Sequence, residues 1–396
     1  MCVHNQRGFI CKKILLDNLK YILSIIVLSL SSLAHSTEVA FAGFAYSGDS
    51  KTINARFPYS KKYEETLGPL GINSLLQKSL ISVNPKYIKI IPRIDELAGR
   101  DKAVAVALVM TNEVVTTELI GKSFKLFIQL RGQAVFFDFK SKTVLRSYPF
   151  SFAYIDALSE QPTDTQKIEG IQYVYLGKNG KPGIIDRFSN SLTNATIPES
   201  VQRYVQVVNV NISDEARSKF SEAYGKGVAE TWVADSFGEA IANKMEMPIL
   251  PFSKGYAIGN VMAMTISNGE IYSLKIPAPD YEFKIDITNL RKVVFEESAA
   301  GKSLIYGSYA SFSLEEPVSG TVYLKGDYKN GEVKVVSALQ TNVEDFPAFQ
   351  DSMRGLFTKL SGEISGENTS WLKSATSGKD TNKQITSTRE LLKSCK

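Results

Sequence analysis

The chain has 396 residues, with 46 Lys and Arg against 41 Asp and Glu and 43% hydrophobic content. That is apolar enough for packed cores, and its nearly balanced, dispersed charge excludes the basic surface that nucleic-acid binding needs. Both histidines, His4 and His35, lie in the first 36 residues with Cys2 and Cys11, and the third cysteine, Cys395, is next to the C-terminus.

The first segment reads as a signal peptide. Arg7, Lys12, Lys13 and Lys20 lead into an apolar stretch from Tyr21 to Leu33, short for a membrane span of ~20 residues. Ala34-His35-Ser36 offers small residues where a signal peptidase reads them. We expect residues 1–36 to be removed before Thr37, leaving no integral membrane segment; an uncleaved anchor is the competing reading. The remaining chain would have Cys395 alone and no intramolecular disulfide. That suits a bacterial periplasm better than eukaryotic secretion.

Such a chain lacks the imidazole base of Ser-His-Asp and Cys-His mechanisms and the usual zinc ligands. No D-x-[DN]-x-[DN]-G calcium loop occurs, so the reading assigns no cofactor and no metal. Gly121-Lys122-Ser123 and Gly301-Lys302-Ser303 resemble the end of a phosphate-binding loop, but Thr116 and Glu296 stand where its first glycine belongs. The residues after Gly301 read as strand rather than helix.

From Thr37 onward the patterns predict an α+β fold in two tandem domains, 37–200 and 201–364. Each is a mixed, mostly antiparallel sheet with helices on it. The first domain opens with a strand, Val39 to Tyr46, followed by a helix from Ile72 to Ser82 and a strand at Ile90-Ile91-Pro92. Phe124, Leu126, Ile128 and Leu130 alternate with polar residues, the period of a half-buried strand, and Ile184, Ile185, Phe188 and Leu192 sketch a helix. The second domain repeats the order: a strand from Tyr204 to Ile212, a helix from Val233 to Met245, Ile249-Leu250-Pro251, and an alternating strand through Tyr281, Phe283 and Ile285. Its closing helix carries Phe346, Phe349, Met353, Leu356, Phe357, Leu360 and Ile364 on one face. Matching pairs such as Phe124 with Phe283 and Leu145 with Ile305 suggest an internal repeat at a separation near 160. Asn268-Gly269 and Asn330-Gly331 predict two-residue hairpins. The Ser-, Thr- and Lys-rich segment 365–396 reads as mostly disordered, with Leu391 and Leu392 a weak docking point and Trp371 able to fold back.

The opening strand before Gly48-Asp49-Ser50 and the hairpin from Phe137 to Val144 resemble the periplasmic α/β unit of the curli-secretion lipoprotein family and of the TolB amino-terminal domain. The likeness is architectural and spans about 110 residues of each half. The family's hairpin carries a Thr-Gly turn, which is absent at 137–144, and no lipid-bearing cysteine follows the signal. The resemblance implies an accessory or assembly role in the envelope and brings no catalytic residue.

Loops after the first strand of an α/β sheet often bind ligands. Here that loop is Arg56-Phe57-Pro58-Tyr59-Ser60-Lys61-Lys62-Tyr63, whose aromatic and cationic residues suit a protein or glycan surface. Arg56, Tyr59, Lys61, Lys62 and Tyr63 are the candidate binding residues, and Lys219 to Tyr224 takes their place in the second half. The function expected is that of an exported, non-enzymatic accessory protein binding an envelope protein or polysaccharide. Two further functions fit the sequence. One is a carboxylate-dependent hydrolase of a glycan or peptidoglycan, with Asp138, Asp156, Glu296 or Glu297 as its acids. The other is a small-molecule carrier with a site between the domains.

Overall fold

The computed structural model describes residues 37–396 apart from 49, 69–70, 98–102, 198–202, 222–223, 226, 253–260, 267–270, 339, 341–342, 368–369 and 379. The apolar opening strand β1 (Thr37–Ser47) lies parallel to β3 (Val104–Ile120), which continues antiparallel into β4 (Ser123–Asp138) and β5 (Thr143–Leu158). In the second half, β6 (Val205–Ile212) lies parallel to β9 (Tyr281–Ser298), followed antiparallel by β10 (Gly301–Glu316) and β11 (Thr321–Ser337). The two sheets therefore share strand order and direction, and the fold is α+β.

They also share their irregularities. Thr111 is an extra residue in β3 between Met110 and Asn112, and Thr288 is its counterpart in β9. Leu145 bulges in β5 and Tyr323 in β11. Between β4 and β5, Lys142 takes the left-handed conformation (φ 54°) that Gly320 takes in the other half (φ 69°). These features correspond at 177–178 residues, for example Thr111 to Thr288 and Lys142 to Gly320. The expected separation near 160 is thus corrected for the long strands. Phe124 begins β4 whereas Phe283 belongs to β9, and Leu145 lies in β5 whereas Ile305 lies in β10. The reason is an insertion. β2 (Ile88–Ile91) flanks β1, and Leu250 bridges to Gln206 of β6, so each Ile-x-Pro run lies beside the opening strand of its half. Between there and β9 the second half adds a hairpin, β7 (Val261–Ile266) and β8 (Ile271–Lys275).

That hairpin completes the first sheet, not the second. β7 pairs with β1 at Ala45–Ser47 and β8 meets β5 at Thr143, closing β1, β3, β4, β5, β8 and β7 into a ring. Met262, Met264 and Leu274 cover Ala45, Ala105, Ala107, Val135, Phe137 and Val144, which explains why both faces of β3 and β4 are apolar. On the uncovered face of the second sheet, β9 presents Glu282, Lys284 and Asp286, and Lys284 pairs with Glu315. The Asn268-Gly269 turn lies outside the described residues. Asn330-Gly331 is no turn: both lie inside β11, and the Asn330 amide donates to the Ser352 carbonyl at 3.0 Å.

On its other face the first sheet packs against α3 (Gly71–Ile81), α4 (Asp164–Leu176) and α5 (Ile184–Thr193) through Leu76, Ile171, Tyr175 and Phe188. After β6 comes the short α6 (Asp214–Arg217), and the second sheet packs against α7 (Val228–Met245) and α8 (Asp345–Ser365), with Phe237 5.0 Å from Phe283 and 5.2 Å from Phe312, ring to ring. Trp232 is buried in that core.

Segment 365–396, expected to be mostly disordered, is corrected: it forms α9 (Trp371–Ala375) and α10 (Thr381–Lys393). Ile385, Thr388, Leu391 and Leu392 make a buried stripe at helical spacing, which the segment's average polarity conceals. Trp371 stacks on Tyr328 at 6.5 Å, and Arg389 donates to the Ile364 and Glu363 carbonyls at the end of α8. The Lys396 carbonyl reaches Arg146 of β5, so the C-terminus touches the first sheet as well. Burial pushes the Cys395 thiol up to about 11, leaving it inert at neutral pH. From Glu38 to Lys396 the chain forms one compact unit, and among the described residues no helix is long and apolar enough to cross a membrane.

Candidate functional site

Strand β3 outruns its neighbour. β1 pairs with it only as far as Met110, so beyond the Thr111 bulge its edge from Asn112 to Ile120 has no strand partner among the described residues. The chain leaving β1 forms α1 (Ser50–Arg56) and α2 (Pro58–Thr66) near the bulge. The Arg56 guanidinium holds this corner, donating to the carbonyls of Ser47 and, at 2.9 Å, Thr111. Phe57 precedes α2 and has no side-chain oxygen to cap it. Glu113 supplies the cap instead, accepting from Tyr59 N at 2.9 Å and Ser60 N at 2.8 Å. Burial raises the Glu113 carboxyl, and those hydrogen bonds oppose the rise.

Beside this free edge lies a cleft of about 340 Å³, within the range of small-ligand sites. One wall is first-half: Asn112 to Thr116 of the edge, Phe127, Ile155, Pro58 and Tyr59. The other is Tyr224, Val228 and the start of α8, with Phe346, Gln350, Asp351 and Arg354. Tyr224 packs 4.7 Å from Phe346 and accepts from the Gln350 amide at 2.9 Å. Arg354 lies 5.6 Å from the Trp232 ring and 6.0 Å from Phe127, and donates to Gln129 at 2.8 Å. Its burial, with Arg131 nearby, lowers its pKa from the usual arginine value. Carboxylates also converge at the cleft. Glu118 pairs with Lys334 at 3.5 Å and Lys125 at 3.9 Å, burial and Glu118 raise Glu344, and burial raises Asp351.

Beneath the cleft, Arg131 of β4 pairs with Glu239 of α7 at 2.8 Å, and Ser151 donates to Glu239 at 2.7 Å. Asp235 lies alongside with a buried Oδ2 that has no hydrogen-bond partner, and burial pushes its carboxyl up to about 7.

The five candidate residues separate. Segment 58–66 is helix α2, started by Pro58 at its first turn, rather than a loop. Arg56 and Tyr59 line the cleft. Lys62 pairs with Asp164 at 2.7 Å on the exposed side of α2, and Tyr59 donates to the same carboxylate at 3.2 Å. Lys61 pairs with Glu64 at 2.6 Å. Tyr63 is corrected outright. Helical spacing turns it inward, where it is 3% exposed and stacks on Tyr175 at 5.6 Å.

Among the carboxylates singled out from sequence, Asp138 caps its hairpin turn at Ser141 N, Asp156 accepts from Tyr154, and Glu297 pairs with Lys302. None of these, nor Glu296, lines the cleft. Both Gly-Lys-Ser runs sit at equivalent β-hairpin turns, β3 to β4 and β9 to β10. The second-half contributors were missed. Tyr224 carried a faint signal as part of the counterpart loop, Phe346 read as core, and Arg354 on the polar side of a helix carried none.

No protein-family model matches the chain, and no curated protein matches it. Solved structures similar to part of it include a Helicobacter pylori protein described as a neuraminyllactose-binding hemagglutinin homologue. It is 12% identical, with TM-score 0.25, over 50% of this chain and 96% of that one. A Xanthomonas campestris protein of the family DUF330 is 14% identical, with TM-score 0.22, over 44% and 88%. A Caulobacter crescentus protein described as a lipoprotein is 13% identical, with TM-score 0.20, over 42% and 90%. None of them supplies a function for this chain.

Proposed function

We propose that this is an exported accessory protein of a bacterial envelope, non-enzymatic, which binds a partner protein in the cleft between its two sheets. The observation that carries the reading is the free edge of β3 forming one wall of that cleft. An unpaired strand edge offers main-chain donors and acceptors to an extended segment, and the flanking side chains offer pockets for alternate residues. Phe127, Ile155, Tyr224 and Phe346 would cover its apolar groups, with Arg56, Tyr59 and Arg354 at the polar margins. A polysaccharide is the second class of partner that such aromatic walls suit. The shared strand order and matched bulges support a duplicated origin of the two sheets, and residues 1–36 supply the expected export signal.

Glu118, Glu344 and Asp351 around one cleft favour a second reading, carboxylate-dependent hydrolysis, over carriage of a small molecule. One comparison separates binding from hydrolysis. Phe127→Glu places a charge on the half-buried cleft wall and should abolish partner recovery from envelope extracts while circular dichroism stays unchanged. Asp351→Asn should leave recovery intact. A glycan-cleaving activity lost on Asp351→Asn would replace the binding reading with the hydrolase.

A further inference from the structure

The second sheet has the counterpart of the β3 edge. β6 ends its pairing where Ile212 meets Ile287, so β9 from Asn289 to Ser298 has no neighbour on its outer edge among the described residues. Here the edge is bare: every residue from Arg291 to Ser298 is exposed. It reads Arg291-Lys292-Val293-Val294-Phe295-Glu296-Glu297, basic, then apolar, then acidic. Phe295 is 69% exposed, and Val293 extends an outer-face row through Ile305 to the exposed Val333. Soluble proteins ordinarily blunt such an edge, because an open ladder beside apolar side chains recruits another strand.

We propose that this edge pairs with the same edge of a second copy of the chain, antiparallel about a two-fold axis at Val294. Two-fold reversal of the run sets its basic end against the acidic end of the other copy, twice. The faces agree as well. Arg291, Val293 and Glu296 stand opposite Gly307, Ile305 and Ser303 and share the outer face. Lys292, Val294 and Glu297 stand opposite Tyr306, Leu304 and Lys302 and share the helix-covered face. The extra residue at Phe295 is what brings Glu296 to the face of Arg291. In that register, with Phe295 the extra residue, Lys292 stands opposite the second copy's Glu297, and Arg291 lies diagonal to its Glu296 on the outer face, within reach of a long side chain.

Lys292 already pairs with Asp345 and Glu297 with Lys302. Arg291 rests over Tyr309 at 5.5 Å, and Glu296 has no ion pair among the described residues, so the contact between those two sets the partner. An isologous contact uses the same edge in both copies and stops at the dimer, whereas a head-to-tail contact would continue. This goes beyond the binding role proposed above and uses the other free edge, leaving the cleft open.

Sedimentation velocity on the purified full-length protein and on three variants tests it. The wild type should show a reversible monomer–dimer equilibrium. Arg291→Glu and Glu296→Arg, both at exposed positions, should each weaken dimerisation by about tenfold or more, and the double variant should return it to within about threefold of wild type. Far-UV circular dichroism checks that the variants stay folded. A wild type that sediments as monomer up to about 100 μM overturns the proposal, as do single variants that dimerise like wild type. Weakening by both single variants without recovery in the double overturns it too, since the charges then do not face each other.

Discussion

Replacing Asp235 by Asn should stabilise the protein at alkaline pH and leave it unchanged in acid. The carboxyl lies at the seam between α7 and the first sheet, next to Arg131 and Glu239, with its Oδ2 buried and unpartnered. Burial is the main cause of its rise to about 7 from an ordinary 3.8; Glu239 adds to it, and Arg131 and Arg56 oppose it. A raised acid binds its proton more tightly folded than unfolded, so stability falls as pH rises between the two values. Below pH 3.8 both states hold the proton and the penalty vanishes; above about 7 it is complete. Three units at 1.36 kcal/mol each give an upper limit of about 4 kcal/mol. Interiors relax around a charge more than a low dielectric suggests, so about 2 kcal/mol is the expected gain. Urea denaturation of both proteins at pH 4 and pH 8 measures it. The Asn variant should exceed wild type clearly at pH 8 and by much less at pH 4, close to the ordinary value of 3.8, where only a small part of the penalty remains. A variant weaker at both pH values would instead make Asp235 an ion-pair partner of Arg131.

Leu392→Ala should destabilise by about 2–5 kcal/mol in the same assay, the usual cost of a cavity at a fully buried leucine, whereas a loose tail would tolerate it. Glu113→Ala leaves the Tyr59 and Ser60 N–H groups without their acceptor and should cost about 1–3 kcal/mol, with faster hydrogen exchange confined to α2. Gly301 has φ 149° and an added Cβ would lie 2.2 Å from the Val336 carbonyl, so Gly301→Ala should lower stability by about 1–3 kcal/mol, measured by thermal melting. Amino-terminal sequencing of envelope material should begin at Thr37; recovery of residues 1–36 would contradict cleavage.

Strands and long helices were legible because their apolar periods are strong: β1, β6, α7 and α8 lie where the patterns put them. What the sequence hid was non-local. Ile90-Ile91 and Ile249-Leu250 each lie beside the opening strand of their half, but nothing local reveals that Val261 to Lys275 departs to complete the other sheet. That excursion shifts every later equivalence, so an alignment held near 160 pairs β4 with β9. Asn330-Gly331 shows the same limit, since its turn preference yields to a tertiary hydrogen bond with α8. At the site, Arg56 and Tyr59 stood out as a cation and an aromatic after the first strand. The inward turn of Tyr63 follows from the helix that Pro58 begins, a start signal present in the sequence but outweighed by the loop's polarity. The far wall could not be read, because Tyr224, Phe346 and Arg354 reach the cleft only through the way the second half sits beside the first sheet's free edge.

Photo-crosslinking in intact cells asks whether the cleft holds the partner. A photoreactive phenylalanine analogue at Phe127 or Phe346 should give one discrete crosslinked product, lost when Tyr59 is replaced by Glu. The same analogue at Val318, 97% exposed on the β10–β11 turn and away from the cleft, should give none. Equal crosslinking from Val318 and the two cleft positions, or none from the cleft while Val318 captures a product, would place the partner elsewhere.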